Sequence, residues 1–352
     1  MTPLYSISVC GGLEKIALEE IQARFHRTGG LKVVGRGPKR ILFRYSGDAE
    51  QLLSLRAAEN VFLIIRVFRD MTRSRRSLTT LKKSFKRFDF RPYLEICRNA
   101  GVRFRNRISF RVTSRMSTRH NFRRIDLQRA VEEALVSCGW YLTNENPALD
   151  VWVEIHGDEA HVAIRISPLR MAQRDYKQAH IPTSLKPTVA YSLVRLSNPQ
   201  RDDVFLDAMC GAGTILIERA YSGRYRYLLG GDVLPEAIRA AQQNISRKHR
   251  PRQLFLWDSR SLPLAQWSVD KVVCNLPFGE QRNDADISNL YRLFLNECGR
   301  VLKPTGRMVL LTTRQSTLEY LLKQRESVFK IRQKFRINLL GLKPWVNLCL
   351  PY

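Results

Sequence analysis

Between residues 204 and 323, short apolar runs alternate with helical patterns, and this restricts the fold more than any other feature of the chain. The runs are Val204–Ala208, Tyr227–Asp232, Gln253–Trp257, Val269–Asn275 and Arg307–Thr313. Helical periodicity starts at Thr214 and recurs over Pro235–Arg247, Ile287–Val301 and Thr317–Lys323. Parallel strands need crossover connections, usually helices, so the alternation predicts a doubly wound, mostly parallel α/β sheet. Residues 188–352 are expected to form that domain.

The first half reads differently. Strand patterns at 4–10 and Ile41–Tyr45, with helical patterns at 13–21 and Ala49–Arg56, predict a small α+β element over 1–60. A second α+β module is expected over 61–167. Its strands are Val61–Arg69, Arg107–Thr113, Val151–Ile155 and Ala160–Ile166, and its helices are Leu94–Asn99 and Ile125–Cys138. Residues 168–187 carry little periodicity and read as a linker into a helix over Thr188–Arg195.

Charge narrows the function. The chain has 59 Lys and Arg against 32 Asp and Glu, a net charge of +27. Residues 61–130 hold 20 basic and 4 acidic residues, whereas 131–180 hold 4 basic and 8 acidic. A solvated face mixes signs; an excess confined to one stretch suits a phosphate-binding surface. No apolar run approaches the 18 or so residues a membrane span needs, and the charge comes without an amphipathic Lys-rich helix. Seven cysteines lack metal-site spacing, so no metal is expected and a reducing, cytoplasmic setting is.

The strand ends carry the chemistry. Asp207, Met209, Cys210, Gly211, Gly213 and Thr214 stand where the first strand yields to the first helix, so backbone and helix N-terminus can approach a ligand closely. Asp232 follows Gly213 by 19 residues, where an acid can bind a ribose diol, with Val233 beside it. Asp258 and Ser259 follow the third strand, where a side-chain acceptor can meet an adenine amino group. Singly, either aspartate also fits a cap or a turn. In register at successive strand ends, they point to an adenosine-containing cofactor. A nicotinamide site would add a third glycine, but Ile215 and Leu216 follow Gly213 instead.

The fourth strand ends in Asn275-Leu276-Pro277-Phe278 and Gly279. This resembles the (Asp/Asn)-Pro-Pro-(Tyr/Phe) motif of class I S-adenosylmethionine-dependent methyltransferases that act on exocyclic or amide nitrogens, with Leu276 in place of the first proline. In such a motif the Asn275 side chain, which also borders the cofactor, and the Leu276 carbonyl accept the two N–H bonds of a planar amine. Pro277 fixes the turn and Phe278 stacks on the base.

The first half has its own likeness. Phe110–Arg115, His120-Asn121-Phe122, the helix from Ile125, and the segments Leu149–Ile155 and Val162–Ile166 resemble a THUMP domain, an RNA-binding module. Gly11-Gly12-Leu13-Glu14 resembles the ferredoxin-like element that precedes it, and Ile181–Thr188 the segment leading into the catalytic domain. The whole chain is thus similar to THUMP-containing RNA guanine-N2 methyltransferases. That resemblance implies a Rossmann-like class I methyltransferase domain, preceded by a ferredoxin-like element (1–60) and a THUMP domain (61–167). It implies S-adenosylmethionine as cofactor and N2-methylation of a tRNA guanosine, typically at position 6 of the acceptor stem, with THUMP holding the tRNA 3′ end. Arg111, Arg115, Arg119, Arg123 and Arg124 are candidate phosphate contacts, each equally consistent with a solvated position. A monomer is expected. Another RNA target, such as a ribosomal or small nuclear RNA, and an inactive RNA-binding protein are the alternatives.

Overall fold

The computed structural model describes residues 2–352 except 27–29, 169–170, 183, 247–248, 279–283, 325–326 and 340. Gly279 of the fourth-strand motif and Thr183 of the expected linker therefore lie outside the described residues. The chain divides into two compact units, one of Met1–Ser8 with Glu20–Met171 and one of Val9–Glu19 with Ala172–Tyr352.

The first unit is built on one eight-stranded sheet. Its strands are β1 (Leu4–Val9), β2 (Leu31–Gly37), β3 (Arg40–Tyr45), β4 (Ala58–Phe68), β5 (Ser109–Met116), β6 (Tyr141–Leu142), β7 (Leu149–His156) and β8 (Glu159–Arg165), in the order β2-β3-β1-β4-β8-β7-β5-β6. The helices are α1 (Glu14–Phe25), within which the division between units falls, α2 (Ala49–Leu52), α3 (Arg76–Lys83), α4 (Arg91–Asn99) and α5 (Arg124–Val136). β4 spans residue 60 and pairs with β8, so the two α+β patterns share one sheet.

The expected helix Ala49–Arg56 stops at Leu52. There the Ser54 hydroxyl donates to the Gln51 carbonyl at 2.7 Å, a local bond that competes with the helix ladder. Sequence periodicity missed β2, whose side chains are half-buried or exposed throughout, and α3, which buries only Ser77 and Leu81.

The second unit carries a seven-stranded sheet. β9 (Val204–Asp207), β10 (Tyr227–Asp232), β11 (Arg252–Leu256), β12 (Val269–Asn275) and β13 (Leu302–Thr312) run parallel, and β14 (Phe329–Arg336) and β15 (Trp345–Pro351) complete the order β11-β10-β9-β12-β13-β15-β14. β15 is antiparallel to both neighbours. Neither β14 nor β15 was legible, because β14 is a basic strand at the sheet edge and β15 carries a polar Asn347 at its centre. That buried amide is satisfied by reciprocal 2.9 Å bonds with Gln315.

Helices α6 (Pro187–Leu196), α7 (Thr214–Tyr221) and α8 (Pro235–Asn244) bury Val189, Leu193, Ile215 and Ala241 in the cluster on one face, with Leu13 and Ile16 of the N-terminal segment. α9 (Asp284–Val301) and α10 (Gln315–Leu322) bury Ile287, Tyr291, Phe294 and Leu318 in the cluster on the other. The sheet is thus covered on both faces, as the near-continuous apolar strands demand. Among the described residues no helix is long and apolar enough to cross a membrane.

Two glycines in β10 set how closely its neighbours approach. A Cβ on Gly230 would lie 2.4 Å from Leu216, and one on Gly231 2.1 Å from the Trp257 ring. That ring is buried and donates from Nε1 to the Ala208 carbonyl at 3.0 Å, so it packs the core and has little room to retreat. Gly231→Ala should cost about 1–3 kcal/mol through overpacking, read as a lower urea midpoint. An unchanged midpoint would mean that the ring yields freely.

Candidate active site

Strand order reverses between β9 and β12: the chain leaves β9 towards β10 and β11, then returns to β12 on the other side. At such a switch point flanking helices diverge and leave a crevice beyond the carboxyl ends of the strands. Asp207 ends β9 and Asn275 ends β12, so the topology brings the first and fourth predicted motifs to one place.

The glycine-rich turn is shaped as the sequence implied. Gly211 and Gly213 adopt φ of +51° and +78°, left-handed values that favour glycine, and Gly213 caps α7. Gly213 N–H donates to the Cys210 carbonyl at 2.8 Å and Cys210 N–H to the Gly231 carbonyl at 2.9 Å. Asp232 braces the same turn: one carboxylate oxygen accepts from Gly211 N–H at 2.9 Å and the other from Leu234 N–H at 3.1 Å. Each oxygen keeps a second lone pair, and the neighbouring Val233 is an apolar side chain left 54% exposed.

Asp258 stands past the end of β11 and is held by Arg260, which donates to it from Nε at 2.8 Å and Nη2 at 2.5 Å. Ser259 is buried beside it, and Thr214 is buried at the first turn of α7.

Periodicity missed the brace on the other side of the turn. Asn244, buried at the end of α8, accepts from Gln178 N–H and Ala179 N–H at 2.9 and 2.8 Å. It donates to the Ala179 and Ala212 carbonyls at 2.9 and 3.0 Å. All four hydrogen-bonding positions of this amide are used to tie segment 178–181 to the glycine turn. Ile181 lies 3.1 Å from where a Gly211 Cβ would stand. The segment has no periodicity, and only its last residue, Ile181, falls in the stretch marked by resemblance to a catalytic-domain lead-in.

The Asn275–Phe278 loop is clamped by its backbone. Leu276 N–H donates to the Leu311 carbonyl at 2.9 Å. The Tyr291 hydroxyl donates to the Pro277 carbonyl at 2.9 Å and shares a 2.8 Å bond with the Thr312 hydroxyl. Arg314 Nε donates to the Phe278 carbonyl at 3.1 Å, and its Nη1 pairs with Asp284 at 2.9 Å. The Phe278 ring is half-buried against the apolar cluster. None of Tyr291, Thr312 and Arg314 was flagged by the sequence reading, since only the tertiary fold sets them on the motif.

Among the described residues, two polar groups in the crevice are buried without partners: Asn275 Oδ1 accepts no hydrogen bond, nor does either oxygen of Asp207. A buried acceptor left unmet costs about 1–3 kcal/mol, so such groups mark places where a donor arrives from outside. Burial raises the Asp207 pKa to about 8, and the Asp232 charge adds to the rise. The Met209 N–H and the Cys274 thiol oppose it in part, without reaching bonding geometry.

In the first unit, Arg111 is engaged by Asp150 at 3.1 Å. Arg115 lies over the Trp152 ring at 4.6 Å and 3.7 Å from Glu154. Arg123 pairs with Asp126 at 3.7 Å, and Arg124 donates to the Ser114 carbonyl at 3.4 Å. Arg119 is exposed and forms no ion pair among the described residues. Arg66, Lys83, Lys86, Arg87 and Phe88, none of them singled out by sequence, line a basic groove of about 480 Å³.

Residues 174–343 match the family model described as the RMKL-like methyltransferase domain of UPF0020. Over those residues the chain is similar to the methyltransferase domain of this family. The match begins inside the stretch read as linker, at the segment that Asn244 ties to the glycine turn. Over 223 residues the chain is 34% identical to the mouse tRNA (guanine(6)-N(2))-methyltransferase THUMP3, covering 58% of this chain and 43% of that one. It thus spans less than half the length of that relative. It is 29% identical to the tRNA (guanine(6)-N2)-methyltransferase of Thermus thermophilus, with 88% of each covered. The solved structure of TrmN from Thermus thermophilus superposes with a TM-score of 0.83 at 26% identity, covering 99% of this chain and all of that one. The methyltransferase domain therefore has the Rossmann-like class I fold, and Trp257 and Met171 are buried packing residues.

A free aspartate titrates near 3.9, whereas folded Asp207 titrates at about 8. The folded state thus keeps a proton that the unfolded chain releases, and stability falls as pH rises from about 4 to about 8. Asp207→Asn should raise the thermal midpoint by several degrees at pH 8 and leave it unchanged near pH 4. Equal midpoints at both values would mean that the carboxyl is ionised in the fold.

Proposed function

We propose that this chain is an S-adenosylmethionine-dependent RNA methyltransferase acting on N2 of a guanosine in tRNA, at position 6 of the acceptor stem. The observation that carries this reading is the buried, unmet Asn275 carbonyl at the switch point, beside a glycine turn braced by Asp232. The names of the mouse and Thermus relatives support the same reaction and substrate.

The residues present fit the cofactor. Gly211 and Gly213 offer a close backbone approach, and the α7 N-terminus that starts at Thr214 suits a carboxylate. Asp232 has lone pairs to spare for a ribose diol, Val233 offers an apolar face to a ring, and Asp258 with Ser259 stands at the adenine end. Asp207, with Met209 and Cys210, closes the floor. Its unpartnered carboxyl is stabilised in ionised form by any cation that enters. The cofactor, when bound, supplies a methyl group already activated by its sulfonium.

What the protein then contributes is position. Asn275 Oδ1 and the Leu276 carbonyl accept the two N–H bonds of a guanine amine and aim its nitrogen. Neither group is basic enough to keep a proton, so the one released on methylation passes to water. Tyr291 and Arg314 hold the loop still through the Pro277 and Phe278 carbonyls, and the exposed part of the Phe278 ring is available for stacking.

Residues 1–60 act as the ferredoxin-like element and 61–167 as a THUMP domain that takes the tRNA 3′ end, with 168–187 leading into the catalytic domain at 188–352. The Arg66–Phe88 groove and the exposed Arg119 support that reading. Arg115, Arg123 and Arg124 contact phosphate alongside their internal partners, and Arg111 contributes least, being held by Asp150. Seven free cysteines suit a cytoplasmic setting, and the chain works as a monomer.

Purified protein should transfer labelled methyl to total tRNA in preference to ribosomal or small nuclear RNA, with N2-methylguanosine as the product nucleoside. Asn275→Ala should lower transfer at least 100-fold while S-adenosylmethionine binding by calorimetry is retained, and Asp232→Ala should weaken that binding about tenfold or more. Full activity in the Asn275 variant would remove the assigned role. A dominant product on another RNA would move the substrate but not the chemistry.

A further inference from the structure

The sheet of the methyltransferase unit ends on β14, paired with β15 on one side and open on the other. Its eight residues, FKIRQKFR, hold four cations and no acid. Lys330, Arg332, Lys334 and Arg336 are all exposed. Lys323, at the end of α10, joins Lys330, Arg332 and Lys334 around a groove of about 460 Å³, with Glu319 and Tyr352. Glu319 pairs with Lys334 at 2.6 Å, and among the described residues Lys323, Lys330 and Arg332 form no ion pair. Aromatic rings lie under the cations: Lys330 is 5.6 Å from the Tyr352 ring, and Lys334 and Arg336 are 5.7 and 4.6 Å from that of Trp345.

Lysines on an edge strand commonly serve to prevent pairing with other strands, and one or two suffice. Four on eight residues, reinforced by a fifth from the next helix, exceed that need. A second copy pairing through this edge would set four cations against four, a destabilising arrangement. The occupant that fits is a polyanion, and the adjacent rings suit nucleic acid.

Register ties the patch to the catalytic loop. Asn275 lies opposite Leu311, Leu311 opposite Val346, and Val346 opposite Phe335. Lys334 and Arg336 flank that row, so their side chains project on the sheet face opposite to the one Asn275 and Phe335 share. They stand three strand spacings, about 14 Å, away from Asn275.

We infer that the β14 edge is an RNA-docking surface of the methyltransferase unit itself, gripping the phosphate backbone of the strand whose guanosine is modified. The inference rests on the tRNA-methyltransferase reading above. Arg332→Glu/Arg336→Glu should raise the dissociation constant for tRNA about tenfold or more at about 0.1 M salt, and reduce the slope of log K against log salt by about 2. Arg332→Gln/Arg336→Gln should move both in the same direction by less. Neither variant should alter S-adenosylmethionine affinity or kcat at saturating tRNA. Unchanged tRNA affinity and salt slope in both variants, in a protein whose wild type methylates tRNA, would overturn the surface and leave the reaction standing. A wild-type chain that neither binds nor methylates tRNA would overturn the reading itself and this surface with it. Self-association that the Glu variant dissolves without loss of tRNA affinity would assign the edge to a second copy instead.

Discussion

The reversal of strand order between β9 and β12 governs the rest of the methyltransferase unit. Because the chain winds outward through β10 and β11 and then returns, α7 and α8 cover one face and α9 the other. No crossover helix closes the gap above the carboxyl ends of β9 and β12. Asp207 and Asn275, 68 positions apart in sequence, become neighbours at that gap through adjacent strands. The glycine turn, the Asp232 brace and the clamped Asn-Leu-Pro-Phe loop are all built around it.

The crevice is stiff in its backbone and unsatisfied in its side chains. Asn244, Tyr291, Arg314 and Asp232 each spend hydrogen bonds on main-chain groups of the two loops that border it. Among the described residues, Asn275 Oδ1 and the Asp207 carboxyl have none. Asn347 and Gln315, buried between β15 and α10, instead match each other. Rigid loops carrying unmet acceptors make a site that is fixed in shape before a ligand arrives, and ordering costs on binding are then small.

Charge is distributed with the same economy. The first unit's excess lines a groove at Arg66–Phe88, while several of the arginines that resemble THUMP positions are engaged by carboxylates. The methyltransferase unit adds its own basic edge at β14. Net charge predicts a polyanionic partner but not where it rests, because ion pairs between strands far apart in sequence, such as Arg111 with Asp150, remove individual cations from the surface.

By itself the sequence determined the doubly wound unit, the glycine turn, the strand-end acids and the Asn-Leu-Pro-Phe motif. Each of these is a local pattern: period, turn chemistry, or a residue type at a strand end. Boundaries, the polar strand β15 and the edge strand β14 escaped it, because a charged or polar strand carries no apolar alternation. Tertiary structure alone decided which groups go unmet and which are spent. Among the described residues Asn275 Oδ1 is unmet, Arg314 is committed to the Phe278 carbonyl, and Asn244 joins a stretch read as linker to the cofactor turn. Hydrogen bonds between residues 20 to 70 positions apart have no footprint in local periodicity. They exist only once packing has brought their donors and acceptors within about 3 Å of each other.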